Sequence, residues 1–173
     1  MILAKMQKQS QSLYYVHEQR EILHIESSIA KMYYPTLALA IRPELRFNTR
    51  NNLHNFRPNN ASDVVNGLLN YGFTVLYCEI TKQLNALGID CYYGFYHKNH
   101  ESHLALVYDM IEPFRHLVDR SILEIQGQIR KKDFAFSRDG VVVLSNELKK
   151  RYIDLLTDIL DSKRVHKARS GIS

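Results

Sequence analysis

The feature that most limits the fold of this chain is a long apolar segment between Asp63 and Gly88. Its sequence, VVNGLLNYGFTVLYCEITKQLNAL, is apolar on most sides. Ser62 or Asp63 can cap a helix at its start, and glycine is common just after a helix end. A helix that is apolar all round is buried by its neighbours. The sequence therefore predicts a central helix that reaches Leu87 and is enclosed by other elements.

The remaining segments supply elements that can enclose this helix, and most of them show helical periodicity. We predict further helices over residues 1–17, 21–39, about 113–129 and from 145 onwards. In the helix that follows Pro113 we expect a buried stripe made of Phe114, Leu117, Val118, Ile122 and Ile125. In the last helix, which Ser145 caps, the expected inward residues are Leu148, Tyr152, Leu155, Leu156, Ile159 and Leu160.

One short segment departs from the helical pattern. Asp139-Gly140 lies between two short alternating runs, which predicts a β-hairpin near residues 134–144. Seven glycines and four prolines in 173 residues are few for an all-β chain. The predicted fold class is therefore all-α, a multi-helix domain with one small β-hairpin. The predicted domain covers residues 1–165 and is followed by a basic, disordered tail over 166–173.

Composition and charge limit the function less closely. The chain carries 23 Lys and Arg against 18 Asp and Glu, a net charge of +5, which permits nucleic-acid binding without establishing it. Cys78 and Cys91 form no CxxC pair, which suits a reducing cytoplasm better than a disulfide or zinc framework. No uncharged apolar run approaches the length of about 18 residues typical of a membrane span. We therefore expect a cytoplasmic protein with no membrane span.

Chemically versatile side chains are concentrated in the segment from Gly94 to Arg120. Asp109 and Glu112 are three residues apart, so on a helix their carboxylates share one face. His97 precedes the apolar run LALVY, where the chain can fold it back towards these acids. One imidazole and two carboxylates suit a hard cation, Mg²⁺ or Mn²⁺, and the histidine favours Mn²⁺.

The local structure around these acids leaves two alternatives. Pro113 disfavours helical geometry at the residue before it, so the acids lie either at a helix start or at a kink. At a helix start, the macrodipole would keep both carboxylates ionised. His100 and His103 are rival ligands that the spacing alone does not exclude.

The segment from Ala40 to Ala61 is rich in Pro, Asn and Arg and is predicted to be a loop. Its arginines are interleaved with phenylalanines, which suits contact with phosphates and bases. A solvated connector is the equal alternative. Arg115, next to the acids, is expected either to contact a phosphate or to pair with Glu112.

Several motifs, in order along the chain, resemble those of the CRISPR-associated integrase family, the first protein of the spacer-adaptation machinery. HIESSIAKMYY resembles the family's helix around a glutamate ligand, and the match falls on Glu26; by periodicity alone Glu26 is a carboxylate beside an apolar stripe. GFYH, LALVYDMIEPFR and VDR resemble the family's histidine motif and its DxxExxR segment. The stretch from Asn66 to Leu76 and the one from Asp133 to Ser145 also match the family pattern.

The resemblance implies a set of site residues. The implied metal ligands are Glu26, His97 and Glu112, with Asp109 either a further ligand or a residue that positions one. These four form the implied catalytic set, and the implied cofactor is Mg²⁺ or Mn²⁺. The implied DNA-binding residues are Arg46, Arg50, Arg57 and Arg115.

The resemblance also implies an activity, an integrase and endonuclease of antiviral defence that inserts short DNA fragments into a CRISPR array. The implied partners are double-stranded DNA, as the short fragment and as the CRISPR repeat, further copies in a dimer or larger homo-oligomer, and the second adaptation protein. The predicted domain plan lacks the family's N-terminal β-domain. The alternatives are a metal-dependent DNA or RNA nuclease without integration and a non-catalytic helical nucleic-acid-binding module.

Overall fold

A long central helix and the elements packed around it form the fold. The computed structural model of this protein describes residues 19–50, 61–97 and 104–161. The α-helices in these ranges are α1 (Gln19–Ala38), α2 (Val64–Ala86), α3 (Ala105–Ile111), α4 (Arg115–Ile125) and α5 (Asn146–Asp161). Strands β1 (Phe134–Phe136) and β2 (Val142–Leu144) form a two-stranded antiparallel sheet. The predicted fold class, all-α with one small β-hairpin, is confirmed.

Helix α2 is the buried centre that the apolar segment predicts. Asp63 caps its start and accepts a hydrogen bond from the Asn66 amide at 2.8 Å. Gly88 follows its end with a φ of 69°, a left-handed conformation that glycine adopts without steric cost. Helices α3, α4 and α5 and strand β2 all pack against α2. Its fully buried side chains include Val64, Val65, Leu68 and Leu69.

The α-helical path is interrupted between α3 and α4. A 3-10 turn at Glu112–Phe114, with Pro113 as its second residue, separates the two helices. Of the two predicted alternatives, the kink is therefore observed. A helix start is wrong for Asp109, which lies inside α3 and is buried there.

The turn also corrects one predicted core position. Phe114 was expected in the buried stripe, yet its side chain is 41% exposed. A 3-10 turn has fewer residues per turn than an α-helix, so it rotates Phe114 out of the apolar stripe of α4. The stripe is otherwise as predicted, with Leu117 half-buried and Val118, Ile122 and Ile125 buried.

The hairpin and α5 complete the core as the sequence predicts. Phe134 pairs with Leu144, and Gly140 has a φ of 74° in the connecting turn. The Ser145 hydroxyl accepts a hydrogen bond from the Leu148 amide at 3.1 Å and so caps α5. Of the expected inward residues, Leu155 and Leu160 are half-buried and the others are buried, namely Leu148, Tyr152, Leu156 and Ile159.

Several predicted features lie outside the described residues and remain predictions. They are the helix over 1–17, Arg57, the rival ligands His100 and His103, and the tail over 166–173. The described part of the predicted loop, residues 40–50 and 61, contains a 3-10 turn at Pro43–Leu45. Across the part of the chain that the structure describes, no helix has the length and apolarity needed to cross a membrane.

Close packing of α2 at Gly72 gives a prediction for stability. A Cβ atom there would collide with the Tyr152 hydroxyl and would lie 2.7 Å from Val118 Cγ1. We expect Gly72→Ala to lower the free energy of unfolding by about 1–3 kcal/mol through overpacking, measured by chemical denaturation. Gly127→Ala is the control, because a Cβ at that position meets no atom within 4 Å. An equal loss of stability in both variants would contradict the prediction.

Candidate active site

The loop of residues 94–97 is folded around the carboxylate of Asp109. The amides of Phe95 and Tyr96 donate to Oδ2 at 2.6 and 2.9 Å, and the amide of His97 donates to Oδ1 at 2.8 Å. Burial raises the pKa of Asp109, but hydrogen bonds from residues 95–97 outweigh burial and lower the pKa below its ordinary value. The carboxylate is therefore ionised at neutral pH.

The same carboxylate orients the ring of His97. His97 Nδ1 lies 2.6 Å from Asp109 Oδ1. An ionised carboxylate only accepts hydrogen bonds, so Nδ1 carries a proton, and in the neutral imidazole Nε2 then presents its lone pair. Histidine metal ligands are commonly oriented by a carboxylate in this way. The rings of Tyr96 and Tyr108 flank the imidazole, with centroids 5.4 and 5.8 Å away.

Helix α1 brings Glu26 to the same place. The carboxylates of Glu26, Asp109 and Glu112 line one open groove of about 460 Å³. The Tyr96 hydroxyl donates to Glu26 Oε2 at 3.2 Å and so links α1 to the loop. Burial and the Glu26 carboxylate raise the pKa of Tyr96 to about 12. The remaining walls are apolar or aromatic and include Ile22, Ile25, Ile29, Phe95 and Pro113.

Glu112 stands at the bend between α3 and α4 and contacts a cation. Arg115 Nη1 donates to Glu112 Oε1 at 2.8 Å, and each side chain is about one third exposed (36% and 35%). Burial lowers the pKa of Arg115, but the Glu112 carboxylate and Tyr34 raise it, and the net shift is upward. Of the two alternatives for Arg115, the structure shows the pair with Glu112.

Of the predicted catalytic residues, Glu26, Asp109 and Glu112 thus line one groove, and His97 lies beside it through its contact with Asp109. Among residues 19–50, 61–97 and 104–161, no three His, Cys, Asp or Glu side chains are arranged to hold a metal ion. The donor set itself, carboxylate oxygens with one imidazole nitrogen, fits Mg²⁺ or Mn²⁺ by its chemistry. Binding an ion would require at least one carboxylate to turn.

Arg50 lies close to Arg115 and is held by the central helix. Its guanidinium donates to Asn66 Oδ1 at 3.2 Å and to Asn70 Oδ1 at 2.9 Å. The Arg50 and Arg115 guanidiniums lie 5.6 and 4.5 Å from the centroid of the Phe73 ring. Burial lowers the pKa of Arg50, and the charge of Arg115 lowers it further. Because the asparagine amides are neutral, they position Arg50 without neutralising its charge.

Arg46 is not brought to this groove. It is exposed, has a φ of 55°, and lines a separate cavity with Lys131 and Phe136. Of the predicted DNA-binding residues that the structure describes, Arg50 and Arg115 are therefore the pair that stands together.

Sequence reasoning gave no role to Asp119, a buried acid on α4 that belongs to the VDR motif. The Tyr33 hydroxyl donates to Asp119 Oδ2 at 2.7 Å, and among the described residues Oδ1 has no hydrogen-bond partner. Burial raises the pKa of Asp119, although Tyr33 and Arg115 oppose this. The contact joins α1, which carries Glu26, to the helix that carries Arg115. The sequence signal for Asp119 is an acid directly after Val118, a residue of the predicted apolar stripe.

An imidazole and several carboxylates beside two arginines form a residue combination typical of metal-dependent enzymes that act on phosphodiesters. The model of the family described as CRISPR associated protein Cas1 matches residues 2–158, and the chain belongs to this family. The chain is 34% identical over 152 residues to CRISPR-associated endonuclease Cas1 1 of Archaeoglobus fulgidus, which covers 86% of this chain and 44% of that relative. A CRISPR-associated exonuclease Cas4/endonuclease Cas1 fusion of Geobacter sulfurreducens is 36% identical over 141 residues, covering 76% and 24%.

Solved structures show the same fold. A casposase bound to an integration product matches with a TM-score of 0.80 and 30% identity, covering 88% of this chain and 43% of that chain. A Cas6-RT-Cas1–Cas2 complex matches with a TM-score of 0.84 and 27% identity, covering 96% and 18%. The resemblance found in the sequence is confirmed. The chain spans less than half the length of each of these relatives.

Gly94 permits the close approach of the loop to α3. A Cβ atom there would lie 2.7 Å from Asp109 Oδ2 and 2.9 Å from the backbone carbon of Ala105. We expect Gly94→Ala to displace the loop and to lower the free energy of unfolding by about 1–3 kcal/mol. The amide NMR signals of residues 95–97 should move upfield, because their hydrogen bonds to the carboxylate are lost. Unchanged signals in a folded variant would contradict the prediction.

The lowered pKa of Asp109 makes its contribution to stability depend on pH. The contribution is fully present above the unfolded pKa, about 3.8, and is lost as pH falls through the lower folded pKa. We expect Asp109→Asn to lower the free energy of unfolding by about 1–3 kcal/mol at neutral pH and by less in strong acid. Urea denaturation at both pH values measures the difference. A loss that grows towards acid pH would contradict the assignment.

Proposed function

We propose that this chain is the catalytic part of a divalent-metal-dependent DNA integrase and endonuclease that inserts short DNA fragments into a CRISPR array. The observation that carries the proposal is the 2.6 Å contact of His97 with Asp109, next to the groove that Glu26 and Glu112 share. Because Asp109 engages Nδ1 of His97, the proposed ligand atom of this residue is Nε2. Similarity to the endonuclease relatives and to the casposase bound to an integration product supports the proposal.

The proposed ligands of Mg²⁺ or Mn²⁺ are Glu26, His97 and Glu112, and Asp109 is the residue that positions His97. Both oxygens of Asp109 accept hydrogen bonds from residues 95–97, which favours positioning over direct metal binding. When bound, the ion polarises the phosphodiester and stabilises the leaving 3′-oxygen. The protein residues hold the ligands in place and position the phosphodiester.

The proposed reaction is a transesterification. The 3′-hydroxyl of a short DNA fragment attacks a phosphorus atom in the CRISPR repeat and loses its proton to solvent. A new phosphodiester bond forms, the bond to the 3′-oxygen of the repeat breaks, and that oxygen takes up a proton from solvent to become a hydroxyl. With water as the attacking group, the same site would cleave DNA as an endonuclease.

The proposed contacts with DNA phosphates begin at Arg50 and Arg115, the arginines that flank Phe73. Arg46 is exposed and lies with Lys131 at a separate cavity, so its contact would be farther along the DNA. Arg57 remains a predicted contact outside the described residues. Duplex DNA, as fragment and as repeat, is thus the proposed substrate.

The proposed protein partners are further copies of this chain, in a dimer or larger homo-oligomer, and the second adaptation protein. The similarity to a Cas6-RT-Cas1–Cas2 complex supports the second of these.

Strand transfer of a short labelled duplex into a supercoiled, repeat-bearing plasmid tests the proposal, with Mn²⁺ and with EDTA. His97→Ala and Glu112→Gln are expected to lower the rate of joining by about a hundredfold or more, because each removes a proposed ligand. His24→Ala and Glu124→Gln are matched controls, since both residues are exposed and do not line the groove. Both controls should retain joining.

The other outcomes separate the alternatives. Metal-dependent cleavage without joining would replace the integrase with a plain nuclease. DNA binding with neither reaction, also in the presence of the second adaptation protein, would favour a non-catalytic nucleic-acid-binding module.

A further inference from the structure

Glu112 is a proposed metal ligand that a positively charged side chain holds in this structure. Its Oε1 atom accepts a hydrogen bond from Arg115 Nη1 at 2.8 Å. Glu26, in contrast, accepts from the neutral Tyr96 hydroxyl at the longer distance of 3.2 Å. A guanidinium is a stronger competitor for a carboxylate than a phenol, because it carries a full charge.

The contact of Glu112 with Arg115 bears on the proposed metal site at the groove. Glu26, Asp109 and Glu112 line the same groove, yet within the described residues no three ligand side chains are arranged to hold an ion. Glu112 is half-exposed at a turn, so its side chain has room to rotate. Arg115 occupies Oε1 of Glu112, so a divalent cation that takes this oxygen would displace and repel the guanidinium.

Arg115 has other interactions that remain after such a rotation. Its guanidinium lies 4.5 Å from the centroid of Phe73, a cation–π contact that does not involve Glu112. It lines a cavity of about 330 Å³ together with Arg50, Tyr77 and Tyr108. The buried Asp119 is a further acidic group near Arg115: burial raises the pKa of its carboxyl, and the charge of Arg115 opposes this. Released from Glu112, Arg115 would stay at this cavity with its charge uncompensated by Glu112.

We propose that Arg115 competes with the divalent cation for Glu112, and that metal binding frees its guanidinium to bind a DNA phosphate. This inference rests on the proposed function, because it assumes the metal site at the groove. Binding of the metal and binding of DNA then strengthen each other. The metal releases Arg115 to bind a phosphate, and a phosphate bound to Arg115 releases Glu112 to bind the metal. Such coupling is reciprocal by thermodynamic necessity.

Metal affinity measured without DNA tests the competition directly. Mn²⁺ binding to wild type, Arg115→Gln and Arg50→Gln is followed by electron paramagnetic resonance of free Mn²⁺. Arg115→Gln should bind Mn²⁺ about fivefold more tightly or better. Arg50→Gln is the matched control, because it removes an equal charge beside Phe73 from a residue bonded to asparagines. Its effect on Mn²⁺ affinity should be clearly smaller.

DNA affinity tests the second half of the proposal. A phosphorothioate-linked duplex is titrated by fluorescence anisotropy with and without Mn²⁺. In wild type, Mn²⁺ should tighten DNA binding, and this gain should shrink in Arg115→Gln but persist in Arg50→Gln. Arg115→Lys, which keeps the charge, serves in its place if Arg115→Gln does not fold, and should tighten Mn²⁺ binding less.

The outcomes that overturn the proposal are distinct from those that overturn the function. Equal tightening of Mn²⁺ in the Arg115 and Arg50 variants would show a general charge effect and remove the competition. Weaker Mn²⁺ binding in a folded Arg115 variant would make Arg115 a support for the metal site. No Mn²⁺ binding by wild type or either variant would overturn the proposed metal site and this inference together.

Discussion

The carboxylate of Asp109 accepts hydrogen bonds from three backbone amides and one imidazole nitrogen of residues 95–97. These bonds hold a loop against a helix. The helix that carries Asp109, α3, is itself held in the core by the buried side chains of Val107 and Ile111. Without the carboxylate, the loop amides would lose their shared acceptor, and the His97 ring would lose the contact that selects its tautomer. Folding of the loop and orientation of the His97 ring therefore depend on the same group.

The bend at Pro113 has the second large effect on the site. A 3-10 turn at Glu112–Phe114 separates α3, which carries Asp109, from α4, which begins at Arg115. In this arrangement Glu112 is half-exposed at the groove, and the Arg115 guanidinium lies over the Phe73 ring of α2. The exposure of Phe114 results from the same turn. One proline thus sets the positions of an acid and a base that belong to different cavities.

The sequence predicts the fold well, because the elements have local signals. Asp63 and Gly88 bound the central helix, and Asp139-Gly140 marks the hairpin. The sequence motifs around Glu26 and His97 also identify residues at the groove and beside it. The sequence leaves the role of Asp109 open, because most of its hydrogen-bond partners are backbone amides. Such amides are present at every residue except proline, so they give no sequence signal. Asp119 was given no role for a related reason, since its partner Tyr33 lies 86 residues away along the chain.

The distribution of charge at the site follows from what each group contacts. The acids of the groove interact with donors of this chain: Asp109 with the loop, Glu112 with Arg115 and Glu26 with Tyr96. Arg50, by contrast, is held by neutral carboxamides, so its charge is positioned but not cancelled. Replacing the Glu112–Arg115 pair by a metal–carboxylate pair would leave two positive guanidiniums beside one aromatic ring. Phosphate is the group that such a pair fits, because it carries charge and accepts several hydrogen bonds from a guanidinium at once.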